Sequence, residues 1–253
     1  MSSKTLELCI PGPGKTWSHT QIDAVNPCLE RQDAAGRVRW ALDYLPANPV
    51  LTSSFGAQSA IMLHLVSRQL PDIPVVLIDT GYLFPETYRF VDELVERLDL
   101  NLKVYRPEVS SAWQEVRHGK LWQEGVDGIR RYNQANKVKP METALQELQV
   151  GTWFSGLRRS QSESRRRISV LQRHGQTVKV HPLADWSNRD LHAYLKEYEL
   201  PYHPLWQQGY VSIGDIHSSR PLAAGMEEQD TRFFGLTREC GLHVPERFDS
   251  TAA

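Results

Sequence analysis

The stretch IPVVLIDTG, Ile73–Gly81, is an unbroken apolar run that stops abruptly at Asp79-Thr80-Gly81. A strand with one wet face alternates apolar and polar residues. A run without alternation is buried on both faces, as parallel strands of α/β proteins are. PVLTSS at 49–54 has the same character and runs into the small residues FGAQSA. LNLKVYRP, TWFSG and TVKV read as further short strands. Between them, VRWALDYL, AIMLHLV and PETYRFVDELVERL carry apolar residues at helical spacing, and the last has Pro85 at its first position and Glu86 in its first turn. Strands alternating with helices predict one mostly parallel, doubly wound sheet.

The flanks read differently. Residues 1–32 hold Pro11, Gly12, Pro13, Gly14 and Pro27 and read as a loosely ordered leader before a main domain over 33–224. Residues 110–148 read as mostly helical with a polar break at YNQANKVKP, and SNRDLHAYLKEYEL as a helix capped by Ser187 or Asn188. From Pro201 the chain is turn-rich and aromatic, and residues 225–253 read as a mobile tail.

In such a sheet the chemistry gathers at the C-terminal strand ends. Ser53–Ser59 lies between a strand and a helix, where small residues let backbone amides approach a phosphate. A plain β–α turn built for packing reads equally well. No GK[ST] follows, which speaks against a P-loop NTPase. Asp79 suits a ribose or adenine group, or simply a turn. Arg158, at the end of WFSGLRR, suits bidentate phosphate or sulfate recognition, whereas Arg165, Arg166 and Arg167 read as a solvated face. His64, His118 and His174 read as structural or surface residues.

The formal net charge of −1 gives no global field for nucleic acid, so anion binding falls to local clusters. No apolar run approaches the ~20 residues of a membrane span, and no secretory signal core is present, so a reduced, cytoplasmic setting is expected. Cys9, Cys28 and Cys240 form no CxxC pair, which excludes a disulfide framework and a self-contained metal site. Cys9 and Cys28 read as stray exposed thiols. Cys240 has Arg238 and His243 beside it, cationic neighbours that lower a thiol pKa and favour a nucleophile.

Taken together, SSFGAQSA, DTGYLFPETYRF, NKVKPM, WFSGLRR, YHPLWQQGY and TRFFGLTRECGLH resemble the phosphoadenylyl-sulfate (PAPS) reductase family from about Gly36 to His243. The resemblance implies an adenine nucleotide α-hydrolase-like fold with a modified PP-loop at Ser54–Ser59. Phe55 stands where ATP pyrophosphatases carry a glycine and Gln58 where they carry an aspartate, which argues against adenylating chemistry. The implied reaction reduces PAPS to sulfite and adenosine 3′,5′-bisphosphate. Cys240 is the implied nucleophile, passing through an S-sulfonate that thioredoxin or glutaredoxin resolves. Implied substrate contacts are Ser54, Gly56, Ser59, Asp79, Lys137, Arg158, Arg220, Arg232 and His243. Related adenylyl-sulfate reductases hold an iron–sulfur cluster on four cysteines; the matching positions here are Tyr132, Asn133, Asp215 and Ser218, so no cluster, metal or other bound cofactor is expected. A homodimer without nucleic-acid or membrane partners is implied. The rival readings are an ATP pyrophosphatase and a nucleotide-binding regulatory protein without catalysis.

Overall fold

The computed structural model describes residues 17–236. Six strands form one sheet in the order β3-β2-β1-β4-β6-β5. They are β1 Pro49–Thr52, β2 Pro74–Ile78, β3 Asn101–Tyr105, β4 Thr152–Phe154, β5 Leu171–His174 and β6 Thr177–Val180. All neighbours run parallel except β5, an antiparallel edge strand joined to β6 by a tight turn at Gly175 (φ 58°). The sheet is thus the mostly parallel α/β sheet expected, with one strand, β5, that the sequence reading did not separate.

Both faces are covered, and the strands alternate between them. Leu51, Val75, Leu77 and Phe154 join a large core with the helices Ala34–Tyr44, Ala60–Ser67, Pro85–Leu98 and Asn188–Glu197. Val50, Val76 and Trp153 point the other way, to Met141 and Ala144 of the helix Lys139–Glu147. Each fully buried Val, Leu, Ile or Phe contributes about 1.5–3 kcal/mol, and the polar residues that these strands do bury are partnered: Thr152 Oγ1 donates to the Pro46 carbonyl at 2.7 Å and Thr177 Oγ1 to that of Val150 at 3.0 Å.

Residues 17–32 are not the loose leader expected of them. Ser18 and Gln21 form a capping box, and the helix His19–Leu29 buries Ile22, Val25 and Leu29. The fully buried Arg37 fastens this helix. Its guanidinium donates to the carbonyls of Leu29, Glu30 and Pro182 and forks onto the Asp185 carboxylate. Cys28, expected to be exposed, is buried in the same helix with Arg31 Nη2 3.4 Å from its Sγ.

The expected break at YNQANKVKP is no break. The helix Gly125–Asn133 passes through a π-turn, Gln134–Val138, into Lys139–Glu147. A widened turn accommodates Pro140, which can donate no N–H to the turn before it. Asn136 Nδ2 takes up the Tyr132 carbonyl at 3.0 Å, and its amide pairs reciprocally with Gln114.

Candidate active site

The strand order reverses at β1, with β2 and β3 on one side and β4, β6 and β5 on the other. Ligands of open α/β sheets bind at such a point, outside the C-terminal strand ends. A cavity of about 300 Å³ opens there, bordered by the Ser53–Ser59 loop after β1, by Ser155–Arg158 after β4, and by residues 211–215 of the turn-rich excursion.

The loop after β1 is held in shape from within. Phe55 takes a left-handed conformation, φ 48°, and its ring is fully buried. Its N–H donates to Ser53 Oγ at 3.0 Å. A non-glycine residue in this region costs about 1–3 kcal/mol, which burial of a phenyl ring offsets. Phe55 therefore serves the backbone turn that a glycine would otherwise make. Ser54, Gly56 and Ser59 all border the cavity. A Cβ on Gly56 would meet Ile213 O and Ser54 Oγ only at 3.5 Å, an ordinary contact, so packing alone does not require glycine. The Ser59 hydroxyl is buried without a protein partner at the start of the helix Ala60–Ser67, a donor and acceptor left for whatever fills the cavity.

Three of the expected cationic contacts converge on the same space. Lys137 comes from the π-turn, Arg158 from beyond β4 and Arg232 from near the end of the described chain. Arg158 is 4% exposed, and its Nη1 donates to Ser160 Oγ at 2.8 Å and to the Trp186 carbonyl at 3.2 Å. Arg232 lies against Gly214, with Nη2 3.4 Å from Ser218 Oγ. Arg165 also borders the cavity and bonds Gln161 Oε1 at 2.6 Å; it departs from the solvated face expected of it, while Arg166 and Arg167 are exposed.

Two expected contacts stand elsewhere. Asp79 is not on the cavity wall: its carboxylate accepts from Tyr88 Oη at 2.7 Å, Gly81 N at 2.9 Å and Arg106 Nε at 2.9 Å. Burial opposes its ionisation, yet these donors outweigh burial and hold its pKa below the usual carboxylate value. It acts as the turn former at the end of β2, and its neighbour Thr80 reaches the cavity instead. Arg220 is exposed and donates to the Asp230 carbonyl at 3.0 Å. Cys240 and His243 lie outside the described residues. Residues 225–236, expected to belong to the tail, pack on the body: Ser219 and Arg232 form a β-bridge, and Phe233 is 1% exposed.

Asp215 was no expected contact, yet it lies at the centre of the wall. It is fully buried, with the Lys137 ammonium 2.6 Å from Oδ2 and the Thr80 hydroxyl donating to Oδ1 at 2.6 Å. Burial opposes its charge, but Lys137 and Thr80 win and hold its pKa at about 2. Beside it Trp122 stacks on His217 at 3.7 Å, with Tyr82 and Tyr132 edge-on. Tyr132, Asp215 and Ser218 are thus neighbours in space, and none carries a thiolate. Among the described residues no group of three or more His, Cys, Asp or Glu side chains could hold a metal ion.

A wall of one buried ammonium and three guanidiniums, a loop of small residues and an unpartnered serine hydroxyl can hold a polyanionic nucleotide. Comparison with known proteins agrees. Residues 48–221 match the phosphoadenosine phosphosulfate reductase domain family. A phosphoadenosine 5′-phosphosulfate reductase of Xylella fastidiosa is 61% identical over 222 residues, 88% of this chain and 94% of that one. One of Shewanella oneidensis is 57% identical over 243 residues, 96% of this chain and 99% of that one. The crystal structure of phosphoadenylyl-sulfate reductase from Candida auris, a phosphate complex, superposes with a TM-score of 0.71 at 29% identity, over 81% of this chain and 99% of that one. Candida glabrata FMN adenylyltransferase shares the fold alone, with a TM-score of 0.55 at 14% identity over 88% of this chain and 76% of that one.

Proposed function

The chain belongs to the phosphoadenosine phosphosulfate reductase family, and it reduces 3′-phosphoadenylyl sulfate in sulfate assimilation; we propose that it does so through a Cys240 S-sulfonate that thioredoxin or glutaredoxin resolves. The observation that carries this reading is the convergence of Lys137, Arg158, Arg165 and Arg232 on the small-residue loop at the sheet's switch point. In the first step the Cys240 thiolate attacks the sulfonate sulfur. A sulfur–sulfur bond forms, the sulfur–oxygen bond breaks, and its electron pair leaves on the 5′-phosphate of adenosine 3′,5′-bisphosphate. In the second, a thiolate of the reductant attacks Cys240 Sγ and expels sulfite. The reductant's second thiol then resolves the mixed disulfide, returning the Cys240 thiol and an oxidised reductant.

The cavity wall supplies charge, not protons. Arg158, Arg165 and Arg232 bind phosphate oxygens, Lys137 lies beside the transferred group, and loop amides with Ser59 orient the nucleotide. Electrons come from thiols alone, without a bound metal or cluster. Burial of Cys28 in the helix His19–Leu29 supports Cys240 rather than Cys28 as the nucleophile. The same reading makes the enzyme a cytoplasmic homodimer; no helix among the described residues is long and apolar enough to cross a membrane.

The test is sulfite release from PAPS and from the analogue without the 3′-phosphate, with and without thioredoxin. Substrate without reductant is expected to leave one sulfonate adduct, on Cys240. Cys240→Ser is expected to fold and bind adenosine 3′,5′-bisphosphate but release no sulfite. Nucleotide binding without sulfite from the wild type would favour a regulatory protein, and pyrophosphate from ATP a pyrophosphatase.

A further inference from the structure

Most groups on the cavity wall are neutral or cationic, and Asp215 is the exception that is fully buried. A buried carboxylate beside an anion site repels the ligand unless it serves one of the cations there. Asp215 holds two neighbours at once, the Lys137 ammonium at 2.6 Å and the Thr80 hydroxyl at 2.6 Å. It is itself fixed by backbone: a β-bridge to Leu83, Ile216 N–H on the Tyr82 carbonyl at 2.8 Å, and Ser218 N–H on its own carbonyl at 3.0 Å. An asparagine would satisfy Thr80 as well, so the charge is there for Lys137. The ammonium also lies 5.5 Å from the Tyr132 ring centre and 5.1 Å from that of Phe233. Carboxylate and rings take up its other sides, and the remaining open direction is the cavity it borders. A lysine stem is flexible; here it is held at its tip.

We propose that Asp215 is a positioning residue for sulfonate transfer, holding Lys137 with an N–H aimed at the phosphate oxygen that gains charge as the sulfur–oxygen bond breaks. The proposal rests on the reaction given above. An interaction that strengthens as this oxygen becomes anionic acts on the rate of the step more than on substrate binding. The carboxylate touches no substrate atom and acts through the lysine alone.

The experiment follows adduct formation on Cys240 by mass spectrometry in single turnovers of PAPS without reductant, for Asp215→Asn, Lys137→Met and the double variant. Asp215→Asn is expected to lower the maximal rate at least thirtyfold and change half-saturation less than threefold. The double variant is expected to be no slower than Lys137→Met. A rate for Asp215→Asn within threefold of wild type, or losses that multiply in the double variant, would overturn the proposal. If Asp215→Asn does not fold, Thr80→Val serves: a three- to tenfold loss that vanishes in the Lys137→Met background is expected, and a loss that persists there overturns it. Absence of any adduct on the wild type defeats the reaction itself, and this inference with it.

Discussion

Gly214 and the Arg232 guanidinium share one volume: a Cβ built on Gly214 would stand 2.6 Å from Arg232 Cζ. The clash is with the far end of a flexible side chain, so a methyl group there displaces the guanidinium and leaves the backbone in place. Gly214→Ala is therefore expected to fold and melt as wild type does, but to bind adenosine 3′,5′-bisphosphate about tenfold more weakly. Loss of a charge-assisted hydrogen bond of about 1.5–3 kcal/mol gives that factor or more. Titration calorimetry on Gly214→Ala, Arg232→Ala and the pair checks it; the pair should be no weaker than Arg232→Ala.

Phe55 joins loop geometry to core. Phe55→Ala removes a fully buried ring and keeps the left-handed backbone, so it is expected to cost about 3–5 kcal/mol in urea unfolding. Phe55→Gly relieves the backbone but still leaves the cavity in the core. A loss below about 1 kcal/mol for either would show that the ring does not anchor the loop.

How much of this was legible beforehand depends on whether a feature is local. Unbroken apolar runs marked β1 and β2 because burial on both faces leaves few other compositions, whereas β3, with Lys103 and Val104 exposed, was marked by its β-branched and aromatic residues and its place between helices. Small residues marked the loop after β1, and the cavity opens there. Asp215 left no such mark: its meaning comes from Lys137 and Thr80, which reach it only through the fold. Asp79 stayed open to two readings for the converse reason, since a strand-end carboxylate that shapes a turn and one that meets a ribose share one local pattern; the fold turns it to Tyr88, Gly81 and Arg106. The helix His19–Leu29 was hidden by Pro27, although SHTQ carries its capping box.

Arg37 is the joint of that helix. Arg37→Met takes one donor each from the carbonyls of Leu29, Glu30 and Pro182 and the partner from the half-exposed Asp185 carboxylate, an expected loss of about 1–3 kcal/mol. Arg37→Lys should not restore it, because an ammonium cannot span the Asp185 fork and both helix carbonyls. Equilibrium unfolding of the two variants measures this.

Acid should weaken the fold well above the carboxylate range. Burial lowers the pKa of His181 to about 3 and of His203 and His217 to about 4, below the unfolded value of about 6.5. A histidine depressed in the folded state takes up its proton first in the unfolded state. Stability is therefore full above pH 6.5 and falls as pH drops toward 4, with a limiting slope of about 1.4 kcal/mol per pH unit for each histidine. His203 is fixed neutral, since Leu205 N–H donates to Nδ1 at 3.1 Å and Nε2 faces Thr87 Oγ1 at 3.0 Å. His203→Gln should lower the slope by one proton's worth in denaturation curves from pH 7 to pH 4.5.

The π-turn at Gln134–Val138 sets a phase between two helical segments. Before it, Ile129 and Tyr132 turn inward; after it, Met141 and Ala144 meet the sheet. Each residue of an α-helix advances the azimuth by about 100°, so deleting one residue from this turn would rotate everything on one side of it by about that angle. With Met141 and Ala144 held against the sheet, a deletion at Val138 would turn Lys137 away from Asp215, and one before Lys137 would turn Ile129 and Tyr132 out of place instead. The number of residues in this turn is therefore constrained more tightly than most of their identities: it works as a spacer whose length couples the registry of the core to the aim of one ammonium group.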